Sequence, residues 1–138
     1  MRLRINKTAQ ENARILLPKL LDKYFKAGRK AADGKQSARK LHGFRLATKQ
    51  FRYSLELFRP CYGPSLERKL EALSSLQGAL GKLSDYASIR ATLAGDKALA
   101  AKLERASETK LKEFQKQWKA FDADGEHKRW LRYLEKGR

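Results

Sequence analysis

A chain of 138 residues suits one domain with one core, and a hydrophobic content of 41% excludes a disordered polybasic tail. The single cysteine, Cys61, excludes an internal disulfide framework, and no apolar run approaches the ~18 residues that a membrane span needs. Lys+Arg 32 against Asp+Glu 15 leaves a net +17, a self-repulsion that opposes the compact state and points to a polyanionic partner.

Taken in chain order, everything periodic has a period near 3.6 and nothing alternates like a strand. The N-terminus MRLRINKTAQENARILL is basic but lacks a long apolar core with a cleavage site, so no secretory signal is expected. With the lone cysteine, this gives a cytoplasmic expectation. A first helix is predicted over about 7–31, with Ala13, Leu16, Leu17, Leu20, Leu21, Tyr24 and Ala27 inward. Pro18 should kink it or mark the first turn of its main part. A second helix spans about 36–59 and stops before Pro60. A third starts near Ser65 and runs to about Leu83 along a leucine seam. It either continues or is followed by a short helix capped at Ser84-Asp85 and reaching Leu93. Gly78 and Gly81 in it read as sites of close helix approach or a weakened helix end. A fourth covers about 97–121 with Leu99, Leu103, Phe114, Trp118 and Phe121 inward, and a last short helix, 126–135, offers Trp130, Leu131 and Leu134. The fold class is therefore all-α, an antiparallel bundle of four long helices plus a short C-terminal one, forming a single domain over 1–138.

The charge is uneven. Residues 1–60 hold 16 basic and 4 acidic residues, net +12, whereas residues 61–138 hold 16 and 11, net +5. Within the second helix, His42, Arg45, Lys49 and Arg52 fall at offsets 0, 3, 7 and 10. At 100° per residue they share one stripe of about 100°, about 15 Å long, which Arg59 extends. Phe44, Ala47, Phe51, Leu55 and Phe58 flank it on one side, and Leu46, Tyr53 and Leu57 on the other. Cations between two apolar strips belong in a cleft or at an interface, because an amphipathic surface helix keeps its charges opposite the core. Lining up like charges costs repulsion at each i, i+3 and i+4 step, and Glu56 offsets only one of them. A multivalent anion would relieve it. Arginine forks suit phosphate oxygens, lysine adds point charge, and a free histidine side chain is charged below roughly pH 6.5. The plainer reading is a solvated face, or a stripe paired with Glu67, Glu71 and Asp85 on the third helix.

The segment LHGFRLATKQFRYSLELF resembles the signature helix of the CHAD domains, the conserved-histidine α-helical domains, with His42, Arg45, Lys49, Arg52 and Phe58 in register. The later LQGALGKLSD, with Gln77, Leu80, Gly81 and Asp85, is similar to that family's second motif, a Leu-Gly pair followed by Asp. The resemblance covers about 36–95 well. It implies an all-helical fold that binds inorganic polyphosphate along a basic groove without catalysing a reaction, and an association with polyphosphate granules. A typical member has two pseudo-symmetric helical halves, each with its own basic helix. This chain has one, so it is either a half that dimerises to complete the groove, the favoured expectation, or a reduced version with an open groove. The polyphosphate-binding set on this reading is His42, Arg45, Lys49, Arg52 and Arg59, with Arg14 and Lys7 on the rim and Lys82 from the third helix. Lys19, Lys23, Lys26 and Lys30 should form a solvated surface.

Metal binding has little support: His42 and His127 are well separated, and no Cys-x-x-Cys or His-x-x-x-His pair is present. No cofactor is expected. Neither a Walker-type loop nor an inward carboxylate pair suggests an enzyme. Nucleic acid is the rival partner, since +17 attracts any phosphate backbone. Sequence-tolerant single-strand binders also need exposed stacking aromatics, and Phe44, Phe51 and Phe58 read as core.

Overall fold

The computed structural model describes residues 3–34 and 36–137. Five α-helices follow in order: α1 Ala9–Ala32, α2 Ala38–Leu57, α3 Leu66–Thr92, α4 Lys97–Phe121 and α5 Glu126–Lys136, with one 3-10 turn, Arg59–Cys61, between α2 and α3. No strand occurs among the described residues. The helix starts obey local chemistry. Thr8 Oγ1 accepts from the Glu11 amide at 3.1 Å while its hydroxyl meets the Glu11 carboxylate at 3.2 Å, a capping arrangement that satisfies otherwise orphaned amides. Ser37 caps α2 through the Lys40 amide, and Asp96 caps α4 through the Leu99 amide.

Two points left open by the sequence are resolved, and one boundary, the end of α2, differs from the expectation. Helix α1 runs through Pro18 from Ala9 to Ala32. Helix α3 is continuous to Thr92, so Ser84-Asp85 lies inside it rather than capping a separate helix. Helix α2 ends at Leu57, and Arg59 belongs to the 3-10 turn. Pro60 explains the last point, since it disfavours helical backbone at the residue before it.

Helix α2 packs between α1 and α3, α4 closes the bundle against α3 and α1, and α5 lies along α1. An aromatic cluster fills the centre. The Tyr24 ring stacks on Phe44 at 5.1 Å and Phe51 at 4.9 Å between centroids, and Trp118 meets both Tyr24 and Phe44 edge-on. The Tyr24 hydroxyl donates to Thr48 Oγ1 at 2.9 Å, which itself donates to the Phe44 carbonyl at 2.9 Å, so the buried polar pair is satisfied. Desolvation pushes the Tyr24 phenol well above its ordinary pKa, against the opposing pull of Thr48. Phe25, absent from the expected inward face of the first helix, is fully buried. It packs on Trp118 and Phe121 of α4 and on His127 of α5. Helix α1 thus has neighbours on several sides, and one stripe does not describe its burial.

Helix α3 has 27 residues and α2 has 20, roughly 40 Å against 30 Å of axis. Residues 88–98 are all exposed. The tip of the α3–α4 hairpin therefore projects past the N-terminal end of α2.

Candidate functional site

Four contacts define how α2 and the turn after it lie on α3. His42 Nδ1 is 3.2 Å from Ser84 Oγ. A Cβ on Gly81 would stand 3.6 Å from Arg45 Nε. Arg52 Nη1 donates to Ser74 Oγ at 3.2 Å. Arg59 Nε meets Glu67 Oε1 at 2.9 Å. Forward steps of three, seven and seven residues from His42 are matched by equal backward steps from Ser84, the register of antiparallel helices with a heptad seam. By the same count Lys49 falls opposite Gln77, whose Oε1 is buried and without a hydrogen-bond partner among the described residues.

The stripe is therefore set into the α2–α3 junction. Ser84, Gly81 and Ser74 of α3 are small, which leaves room for the His42, Arg45 and Arg52 side chains to lie along the seam. Arg45, Lys49 and Arg52 are half-buried, while His42 and Arg59 are exposed. Arg45 Nε and Arg52 Nε are buried and make no hydrogen bond among the described residues. A buried donor left unpaired costs about 1–3 kcal/mol, so these groups are primed for an acceptor. His42 and Arg45, together with Arg39, Ser84, Asp85 and Ser88, line one shallow depression at the N-terminal end of α2.

Acidic neutralisation is unequal along the stripe. Among the described residues, His42, Arg45 and Lys49 form no ion pair. Arg52 lies 3.5 Å from Glu56, and Arg59 is bound to Glu67. Of the third-helix acids expected to pair with the stripe, Glu67 alone does so among the described residues. Asp85 borders the depression without pairing.

The second apolar strip behaves differently from the first. Leu46, Tyr53 and Leu57 are 45%, 49% and 60% exposed, so the stripe has core on one side and an open apolar ribbon on the other. Lys49 Nζ sits 5.7 Å and the Arg52 guanidinium 5.2 Å from the Tyr53 ring centroid, within the range of cation–π attraction.

The remaining sequence candidates are not gathered here. Lys7 pairs with Glu11 at 3.8 Å. Arg14 lies against Gly137 at the end of α5, where a Cβ would stand 3.1 Å from its Nε. Lys82 is exposed, about 100° around α3 from Gly81. Lys19, Lys23, Lys26 and Lys30 are exposed, as expected. His127 belongs to a different place altogether, donating or accepting between Asp22 at 2.8 Å and Arg29 at 3.3 Å across α1 and α5. No group of three or more His, Cys, Asp or Glu side chains that could hold a metal occurs among the described residues, and no described helix is long and apolar enough to cross a membrane.

Sequence reasoning missed Arg39 and the α3 partners Ser74 and Ser84. Arg39 was legible as an i−3 neighbour of His42 on the same helix. Gly81, read as a close helix approach, instead makes space for a guanidinium, and nothing lies within 4 Å of a Cβ at Gly78.

The model of the CHAD domain family matches residues 2–94, more than half of the chain. The matched span contains α1, α2, the turn, and α3, and so the whole of the α2–α3 ladder. No curated protein and no solved structure shows significant similarity to the chain.

Proposed function

The chain belongs to the CHAD domain family, and from that premise we propose that it binds inorganic polyphosphate along the α2–α3 junction, as a binding module and not an enzyme. The observation that carries the reading is the free half of the stripe. His42, Arg45 and Lys49 share one side of α2 without an ion pair among the described residues, and the Arg45 Nε is buried without an acceptor. A linear polyanion supplies closely spaced oxygens to such a row through charge-assisted hydrogen bonds. It has no bases to accommodate, which suits a seam whose phenylalanines, Phe44, Phe51 and Phe58, are buried, while Tyr53 is the one exposed ring beside the stripe on which a base could stack. Nucleic acid is the competing ligand, since phosphate neutralisation alone would attract it.

The test is a competition. Labelled long-chain polyphosphate is bound at near-physiological salt and displaced by RNA matched in phosphate count, beside a triple variant His42→Ala, Arg45→Ala, Lys49→Ala whose helicity is checked by circular dichroism. Weak competition by RNA and lost binding in the variant support the reading. Equal competition and retained binding replace it with general charge attraction.

A second copy of the chain is proposed to complete the groove. The ribbon of Leu46, Tyr53 and Leu57 beside the cations supports this, because a two-fold would bury both ribbons. It would also bring two cationic stripes together, so the dimer should form on polyphosphate and fall apart without it. Sedimentation velocity with and without polyphosphate, on the wild type and a Leu46→Ser, Leu57→Ser variant, measures this. In a cell, such binding would place the protein on cytoplasmic polyphosphate granules.

A further inference from the structure

The ladder between α2 and α3 is electrostatically polar. At one end lie Arg39, His42, Arg45 and Lys49, with Asp85 the one carboxylate lining their depression, and no ion pair among them. At the other end every cation has its own acid: Arg52 has Glu56 at 3.5 Å, and Arg59 has Glu67 at 2.9 Å. Glu71 follows Glu67 one helical turn later and adds a further negative charge on that side. The two halves are thus cationic and internally neutral.

We infer that Glu56 and Glu67 close one end of the anion track and thereby set the length of phosphate chain held along α2. This rests on the polyphosphate reading above. A chain seated on Arg45 and Lys49 meets two carboxylates if it continues past Arg52. Displacing an exposed ion pair is easy in itself. The released carboxylates nevertheless stay on α2 and α3 beside the phosphates and repel them. In the opposite direction the chain passes His42 toward Arg39, where hydroxyls of Ser84 and Ser88 border the path. The bound polymer therefore leaves over the N-terminal end of α2, beneath the projecting α3–α4 tip. Glu56 and Glu67 discriminate by chain length and contribute nothing to the affinity of a short oligophosphate.

The experiment compares inorganic tripolyphosphate with long-chain polyphosphate on three proteins: wild type, Glu56→Gln with Glu67→Gln, and a control with the same charge change on exposed positions of α4 and α5, Glu113→Gln with Glu135→Gln. All four glutamates are on the surface, and glutamine keeps the size of the side chain while removing its charge. The first double variant is expected to bind the long chain about fivefold to tenfold more tightly. Its salt dependence should steepen by about two released ions, with tripolyphosphate affinity unchanged. The control should move neither ligand by more than about twofold. Equal gains for both ligands, or equal gains in both double variants, overturn the inference and leave net charge as the cause. The His42, Arg45, Lys49 triple variant run alongside separates the two levels. If it still binds, the polyphosphate site itself is wrong. If it fails to bind while the glutamate variants show no length effect, only the end-stop is wrong.

Discussion

Arg45 lies over Gly81: its Nε is 3.6 Å from the point where a Cβ would stand. The glycine is a seat for the guanidinium, and an alanine there would make only ordinary van der Waals contact. Gly81→Ala should therefore leave polyphosphate affinity within about twofold and stabilise α3 by about 1 kcal/mol, the helix-propensity difference. Gly81→Leu should displace Arg45 and weaken binding about tenfold with helicity unchanged. Titration of both variants beside thermal melts checks this. Equal binding by the leucine variant would remove Arg45 from the site.

Lys49 and Lys26 carry the same charge in different places. Lys49 is half-buried on the ladder, whereas Lys26 is exposed on α1. Lys49→Glu should weaken polyphosphate binding more than tenfold and Lys26→Glu less than about threefold, because only the first puts a carboxylate among the ladder cations. Fluorescence anisotropy at matched salt compares them. Similar losses would indicate diffuse surface attraction.

Gly28 packs directly against the Trp118 indole. A Cβ there would overlap Trp118 Cη2, Cζ2 and Cζ3. The indole is rigid and flanked by Tyr24, Phe25, Phe44 and Phe121, so it cannot swing away. Gly28→Ala should destabilise the fold by about 3 kcal/mol through overpacking, even though alanine is the better helix former. Urea denaturation followed by tryptophan fluorescence measures the loss.

Two of the five tyrosines, Tyr24 and Tyr62, have phenols pushed up, chiefly by burial. A raised folded-state pKa means that the stabilisation is fully present below the ordinary phenol range near pH 10 and is lost as the pH climbs beyond it. Ultraviolet titration should show Tyr24 and Tyr62 ionising only as the fold opens. Tyr24→Phe removes one of the late groups and also the hydrogen bond accepted by Thr48, at about 1 kcal/mol at neutral pH. Its stability should then fall less steeply in alkali. Ionisation of Tyr24 and Tyr62 near pH 10 in the still-folded protein would contradict the buried placement.

The cationic stripe was legible because it is a local property. Helical spacing alone puts His42, Arg45, Lys49 and Arg52 on one side of α2, and the same periodicity marks the buried seams of Leu66, Leu70, Leu73, Leu76, Leu80 and Leu83 and of Phe114, Trp118 and Phe121. Caps and breakers likewise act within a few residues, so the helix count and most ends could be read directly. What surrounds each helix is not local. A wheel assigns directions about one axis, but which direction meets another helix depends on pairings between distant segments. Only the tertiary structure sets Ser84, Gly81 and Ser74 against the stripe, buries Phe25, leaves Leu46, Tyr53 and Leu57 open, and sends Arg14 to α5. It also brings Arg59, in the turn at Pro60, to Glu67 of α3.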